Sequence, residues 1–362
     1  MSACLPAKAM YAQPAGTARI VDRATCSRCR IIIEPLALLG VAEGAAELPG
    51  EPIGYSADRL GRIYLTFVRA LPMVFALDGH HVRTLGRLGS GPGEYRQATQ
   101  IIPAAGDSVL IYDAGNRRLT VLDPSLNLAR TVSLQESLHA ALYLRDGRLV
   151  INGWFGTPAG IGFPYKFTSP TDGRALAYFG TDRPEVRPSD RARLRRRLAA
   201  ARLGGFWGSS EEYYRLEYYD TAGHKRRTLL GGGDWFDVVP PETQALISPS
   251  VRPGSRVLSI HEDSEGRIWT SSYDGLPTWA DGLGPARKGA NGGTWHPVVD
   301  PRKVWETVIE VLDPVRAELV VSQRIRGHFF WFLRDGLLAS YEPDADGTPL
   351  VRIWRVRVSK SL

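Results

Sequence analysis

The chain has 362 residues, 43% of them hydrophobic and 23% charged, with 38 Gly and 25 Pro. That is the composition of a folded, turn-rich β protein, and it excludes a disordered or fibrous chain. An excess of 45 Lys and Arg over 38 Asp and Glu gives a net charge of +7, which favours acidic partners or anionic surfaces without naming one, and the absence of any long unbroken apolar run gives no transmembrane segment.

Residues 1–25 are Ala-rich and lack periodicity, and they read as an N-terminal tail, either a signal-peptide remnant or a linker. Cys4 within them is a tether, a removed residue or a free thiol. Cys26 and Cys29 follow as C-x-x-C in TCSRCR. A zinc site would need two more ligands at matching spacing, haem attachment would need a His where Arg30 stands, and a thioredoxin-type motif should open a helix. The next residues, RIIIEPLALL, are β-branched and strand-like instead. A small local disulfide in an oxidising compartment is the default, with redox-active and metal-bound readings as alternatives.

Strand-turn-strand units then recur. Asp58-Arg59-Leu60-Gly61-Arg62-Ile63-Tyr64 is echoed around Gly106, Gly147, Gly266 and Gly336, most closely in Asp263-Ser264-Glu265-Gly266-Arg267-Ile268-Trp269. A second hairpin type, in which an Asp opens the turn, alternates with the first at Asp78, Asp123, Asp220 and Asp313. Gly61, Gly106 and Gly147 lie 45 and 41 residues apart, and Asp78 and Asp123 lie 45 apart. A period of that length holding four strands is a propeller blade. Six blades result, spanning about 53–86, 98–134, 139–179, 206–230, 257–324 and 327–358. The last shows only three convincing strands, so residues 30–39 supply its fourth and close the ring. The expected fold is therefore an all-β six-bladed β-propeller over residues 26–362, with insertions near 181–205 and 273–304. Leu194 and Leu198, at i, i+4 behind a Ser189 or Asp190 cap, give the first insertion a short basic helix.

LGRLGSGPGEYR, residues 85–96, is spaced like the start of a nucleotide loop. It neither opens a helix nor carries Gly-Lys-Ser, so it reads as the joint between the first two blades. Together with the Gly-Arg-Ile-Tyr or Trp hairpins, Cys26-Ser27-Arg28-Cys29 and the block from Phe206-Trp207 to Tyr214-Arg215-Leu216-Glu217, this joint resembles the bacterial six-bladed β-propeller family related to NHL-repeat proteins. The resemblance covers nearly the whole chain. It implies the architecture and an extracytoplasmic, periplasmic or secreted setting; the wider group holds binding and scaffold proteins as well as some lyases and lactonases.

Eight residues before the turn glycines stand Ile53, Ala98, His139, Leu258 and His328, near the starts of the innermost strands. His139 and His328 would face each other across the ring, and His261 lies on the same kind of strand. These three are candidates for a channel-mouth site, against the plainer role of capping strands or bonding loop carbonyls. Seven arginines fall between Arg187 and Arg202 against one acid, Asp190. Arg191, Arg193, Arg195, Arg196 and Arg197 are candidate partner contacts, as are Tyr273, Trp279 and Trp295 of the second insertion. The functional expectation is a non-enzymatic binding or assembly module, an accessory subunit of a larger membrane-associated complex. It has a protein partner that is acidic or membrane-associated, no nucleic acid and no cofactor. The alternative is an enzyme of lyase or lactonase type with a divalent metal in the channel.

Overall fold

The computed structural model describes residues 16–41, 46–157, 160–180, 195–238, 248–288, 294–327, 329–334 and 336–360. After β1 (Gly16–Arg19) and β2 (Cys29–Leu39), the chain builds antiparallel sheets in succession. Blade one is β3 (Pro52–Ala57), β4 (Ile63–Phe67), β5 (Met73–Phe75) and β6 (His81–Thr84). The joint holds the short β7 (Arg87–Leu88) and β8 (Glu94–Tyr95). Blade two is β9 (Ala98–Pro103), β10 (Val109–Asp113), β11 (Arg118–Leu122) and β12 (Leu128–Ser133), and blade three is β13 (Leu138–Tyr143), β14 (Leu149–Thr157), β15 (Gly160–Thr168) and β16 (Ala175–Phe179). Blade four is β17 (Arg196–Ala200), β18 (Phe206–Ser210), β19 (Arg215–Tyr219) and β20 (Lys225–Leu230). Blade five starts with β21 (Arg256–Glu262) and β22 (Ile268–Gly275), is interrupted by the ribbon β23 (Arg287–Lys288) and β24 (Thr294–Trp295), and ends with β25 (Trp305–Asp313) and β26 (Glu318–Arg326). Blade six is β27 (Phe330–Arg334), β28 (Leu337–Tyr341) and β29 (Val351–Lys360), closed by β2 from the N-terminus.

First strands touch in the cyclic order β3, β9, β13, β17, β21, β27 and back to β3, which makes a closed six-bladed β-propeller with those strands innermost. Alternate residues of each strand face opposite neighbours, so the buried apolar side chains form six clusters, one between each pair of adjacent blades. The 3/4 interface, for example, packs Tyr165 and Phe167 against Phe206 and Tyr219. Burying aromatic rings of that size at every seam is the main favourable term holding the ring shut.

Two sequence expectations are corrected. Residues 196–200 form a strand rather than a helix; they are the inner strand that blade four otherwise lacks. Packing overrides the Leu194/Leu198 spacing: Leu198 enters the 3/4 cluster and Ala199 the 4/5 cluster, a two-residue alternation that a helix cannot satisfy. Residues 181–194 lie outside the described residues. The second correction concerns the expected tail, which is structured from Gly16. β1 pairs in parallel with β20 of blade four. Thr25 and Cys26 then donate backbone hydrogen bonds to Leu319 and Val320 on the edge of blade five (2.9 and 3.2 Å), and β2 completes blade six. A Cys26–Cys29 disulfide, with Cα atoms 5.3 Å apart, closes the turn between the last two contacts. The N-terminal segment is thus a strap over the outer edges of three consecutive blades, and it satisfies edge groups that would otherwise stay open.

Antiparallel order fixes which loops share a face. The connections between blades and the loops joining second to third strands lie on one side, here the joint face. The hairpins after first and third strands lie on the other, the hairpin face. On the hairpin face, Asp58 accepts from Leu60 N and Arg62 N (both 3.0 Å), from Arg62 Nε (2.5 Å) and from the Tyr64 hydroxyl (2.7 Å). Asp263 repeats the arrangement with Glu265 N, Arg267 N, Arg267 Nε and Trp269 Nε1, all within 2.9 Å. The repeated D-x-x-G-R-I-[YW] motif is therefore a locked turn: the carboxylate satisfies the turn amides and the aromatic donor of the next strand.

Candidate functional site

The joint face gathers the irregular chain. It carries the 85–97 joint, the second insertion and the loop 211–214, while among the described residues the hairpin face is made of short turns.

Within the joint, the glycine loop is already filled by the protein itself. Glu94 accepts from Gly91 N (2.6 Å) and from Arg87 Nε (2.7 Å), and these contacts hold its carboxyl below the usual range. Arg118 donates to the carbonyls of Ser90, Gly91 and Glu94 (2.9, 2.6 and 2.7 Å), and Asn116 Nδ2 donates to Gly89 O (2.9 Å). A carboxylate sits where a phosphate would have to sit. Gly86 takes φ +69°, and a Cβ there would meet Gly93 O at 2.4 Å and the Tyr95 ring at 2.5 Å, so the glycine is needed for close approach.

The inner strands of all six blades line a central channel of 490 Å³. His139, at the joint-face end of β13, lines it; burial and the Arg195 charge hold its imidazole below its ordinary value, with Glu211 opposing them. Arg197 of β17 also lines it and pairs with Glu211 at 3.2 Å. Glu211 and Glu212 are both buried. Tyr273 lies close to Arg256, Glu211, Arg197 and Glu212, and burial raises its phenol. Tyr55 of blade one stacks on Trp331 of blade six, ring centroids 4.7 Å apart and planes at 14°. The result is an aromatic wall on one side of the channel and a charged cluster near blades three to five.

The histidine expectations separate. His139 is at the channel, but His261 is near the hairpin end of β21. Its ring stacks on Phe332 at 6.0 Å and lines a different cavity, of 190 Å³, between blades five and six. Direction along the strand explains the correction: β21 runs from joint face to hairpin face, and His261 is its second-last residue. His328 lies outside the described residues, among which no group of three or more His, Cys, Asp or Glu side chains is placed to hold a metal ion.

The partner candidates also divide. Arg191 and Arg193 lie outside the described residues. Arg195 is exposed at the channel mouth. Arg196 and Arg197 are partly buried, with Arg196 N donating to Asn152 Oδ1 (2.9 Å). Arg202 sits on the hairpin face beside Gly266, so the run of arginines does not form one patch. Tyr273 packs on Trp305 and Phe329, centroids 6.1 and 5.7 Å away, and Trp279 Nε1 donates to Ser248 O (3.0 Å); both are internal supports of the second insertion. Trp295 is 39% exposed, with Arg287 over its ring. The exposed Tyr213, beside Glu211 and Glu212, is not distinguished by the sequence pattern; the signal available was its place in the loop between second and third strands, once blade four has its inner strand.

No protein-family model matches the chain, and no curated protein matches it. Solved structures do. A member of the DUF4221 family from Bacteroides vulgatus is 11% identical, with a TM-score of 0.62 over 93% of this chain and 100% of its own. A Bacteroides fragilis protein named as an exported protein is 10% identical, with a TM-score of 0.56 over 95% and 99%. At such identities the likeness establishes architecture alone, and the chain is, on its own strands and on these, a six-bladed β-propeller.

Proposed function

We propose that this propeller is an extracytoplasmic, non-enzymatic binding or assembly module that docks a protein partner on its joint face, as an accessory subunit of a larger membrane-associated complex. The observation that carries this reading is sidedness. The second insertion and the channel mouth open on one face, and exposed apolar side chains from several different loops join them there: Val68, Leu88, Tyr213, Val238, Trp295 and Val299, the last two from the second insertion. Apolar groups brought together from separate loops are the usual makings of an interface, with aromatic anchors at its centre. The Cys26–Cys29 disulfide supports an oxidising compartment, as does the name of the Bacteroides fragilis relative. No helix among the described residues is long and apolar enough to cross a membrane, so membrane association would come through the partner or an anionic surface.

Charge reversal by face tests the reading. Tyr213→Asp with Trp295→Asp should abolish co-purification of the native complex, whereas Leu60→Asp on the hairpin face should leave it intact. Loss with Leu60→Asp, or retention with the double variant, refutes docking on the joint face.

A further inference from the structure

We propose that the central channel binds a small amphipathic anion, a carboxylate or sulfonate carried on an apolar body, with its charged head at Arg197. The cavity measures 490 Å³, within the range of small-ligand sites, and much of its wall is apolar, including Leu138, Leu142, Leu198, Leu258 and Ile260.

Arg197 is the one guanidinium or ammonium among the described residues that line the cavity, and no carboxylate among them lines it. Its Nη2 is engaged with Glu211 at 3.2 Å, yet the side chain stays 35% exposed, which leaves the guanidinium donors for a ligand.

Charge selects the sign of the ligand. On the side of blades three to five, Arg195, Arg197 and Arg256 stand with Glu211 and Glu212, three cations to two carboxylates, while Glu51 stands on the far side beside Tyr55. Blade one lies opposite blade four in the ring, so the Tyr55–Trp331 stack offers a flat apolar surface across from the guanidinium. A ligand with an anionic head and an apolar body satisfies both sides at once; a cation of the same shape meets only the second. This inference does not depend on the docking role of the joint face.

The test uses the full-length oxidised protein and anilinonaphthalene sulfonate fluorescence. The probe should bind with one-to-one stoichiometry, and decanoate should displace it about tenfold more tightly than decyltrimethylammonium, the margin expected for one charge-assisted hydrogen bond. Arg197→Met should erase that preference and Arg197→Lys should restore part of it. Ala140→Trp, which narrows the channel, should abolish displaceable binding. Should either variant fail to fold, a diazirine-bearing decanoate on the wild type locates the ligand directly, with crosslinks expected in residues 53–57, 138–142 or 258–260. Equal displacement by the two head groups overturns the proposal, as do displaceable binding in folded Ala140→Trp and crosslinks confined to the outer strands.

Discussion

Tyr214, on the loop after β18, donates its hydroxyl to Glu310 Oε2 of blade five at 2.6 Å, with both side chains buried. The same hydroxyl lies 2.7 Å from Thr270 Oγ1, so a single phenol joins blades four and five beneath the joint face. Tyr214→Phe would leave the glutamate short of a donor in a site that cannot hydrate it. The expected loss is about 1–3 kcal/mol, read as a lower midpoint in urea with unchanged slope.

Burial raises the Glu310 carboxyl above its ordinary value, the bond from Tyr214 partly offsetting it. A carboxyl with a raised folded value binds its proton more tightly when folded. Its contribution is complete at pH below the unfolded value and is lost as pH climbs through the folded one. The stability difference between wild type and Glu310→Gln should therefore shift against wild type as pH rises above about 4.5. Urea titrations at several pH values would reveal it; a difference constant with pH would show that Glu310 does not titrate this way.

The locked hairpins predict a graded response. Asp58→Ala removes the acceptor of four hydrogen bonds, including that from the buried Tyr64 hydroxyl, and should cost about 2–4 kcal/mol. Asp263→Ala should match it. Asp344→Ala, in an exposed turn where the carboxylate accepts from the turn amides Asp346 N and Thr348 N and from no buried aromatic donor among the described residues, should cost much less. Thermal midpoints of the three variants would rank them.

Gly86→Ala should cost about 2–4 kcal/mol, because the new methyl group would collide with Gly93 O and the Tyr95 ring. Gly106→Ala, also at positive φ (+64°) but with nothing within 4 Å of its Cβ, should cost only the backbone penalty of about 1 kcal/mol. Differential scanning calorimetry separates the two terms.

Reduction of Cys26–Cys29, or Cys26→Ser with Cys29→Ser, should loosen the strap by up to about 2 kcal/mol, the loop-closure entropy of a very short ring. Hydrogen exchange should rise in residues 16–26 and remain unchanged in blades one to three.

What could be read from the sequence was whatever is local. Each D-x-x-G-R hairpin carries its own turn chemistry, so Asp58 and Asp263 announce their blades without reference to anything distant, and the deficit in blade six pointed to residues 30–39. β17 stayed hidden because arginines dominate its start and its alternation becomes visible only when Leu198 and Ala199 have neighbours to face. The strap was hidden for a related reason: Gly16–Arg19 is short, polar and held by backbone bonds to β20, which leave no pattern in side chains. For the channel, counting back from turn glycines found the right strands, but His261 shows that level along a strand decides which cavity a side chain enters.

The closure of blade six also orders events in time. β2 precedes every blade in the chain, yet its partner β29 is the last strand of the sixth: Cys29 pairs with Lys360 and Leu39 with Val351. Until β29 has been made, Ile31, Ile32 and Ile33 have no sheet to join, and the ring stays open however well the middle blades have formed. Such long-range pairing makes the final step slow. A ring closed by strands so far apart in sequence shuts only once every blade between them exists, so closure reports on the completeness of the whole fold.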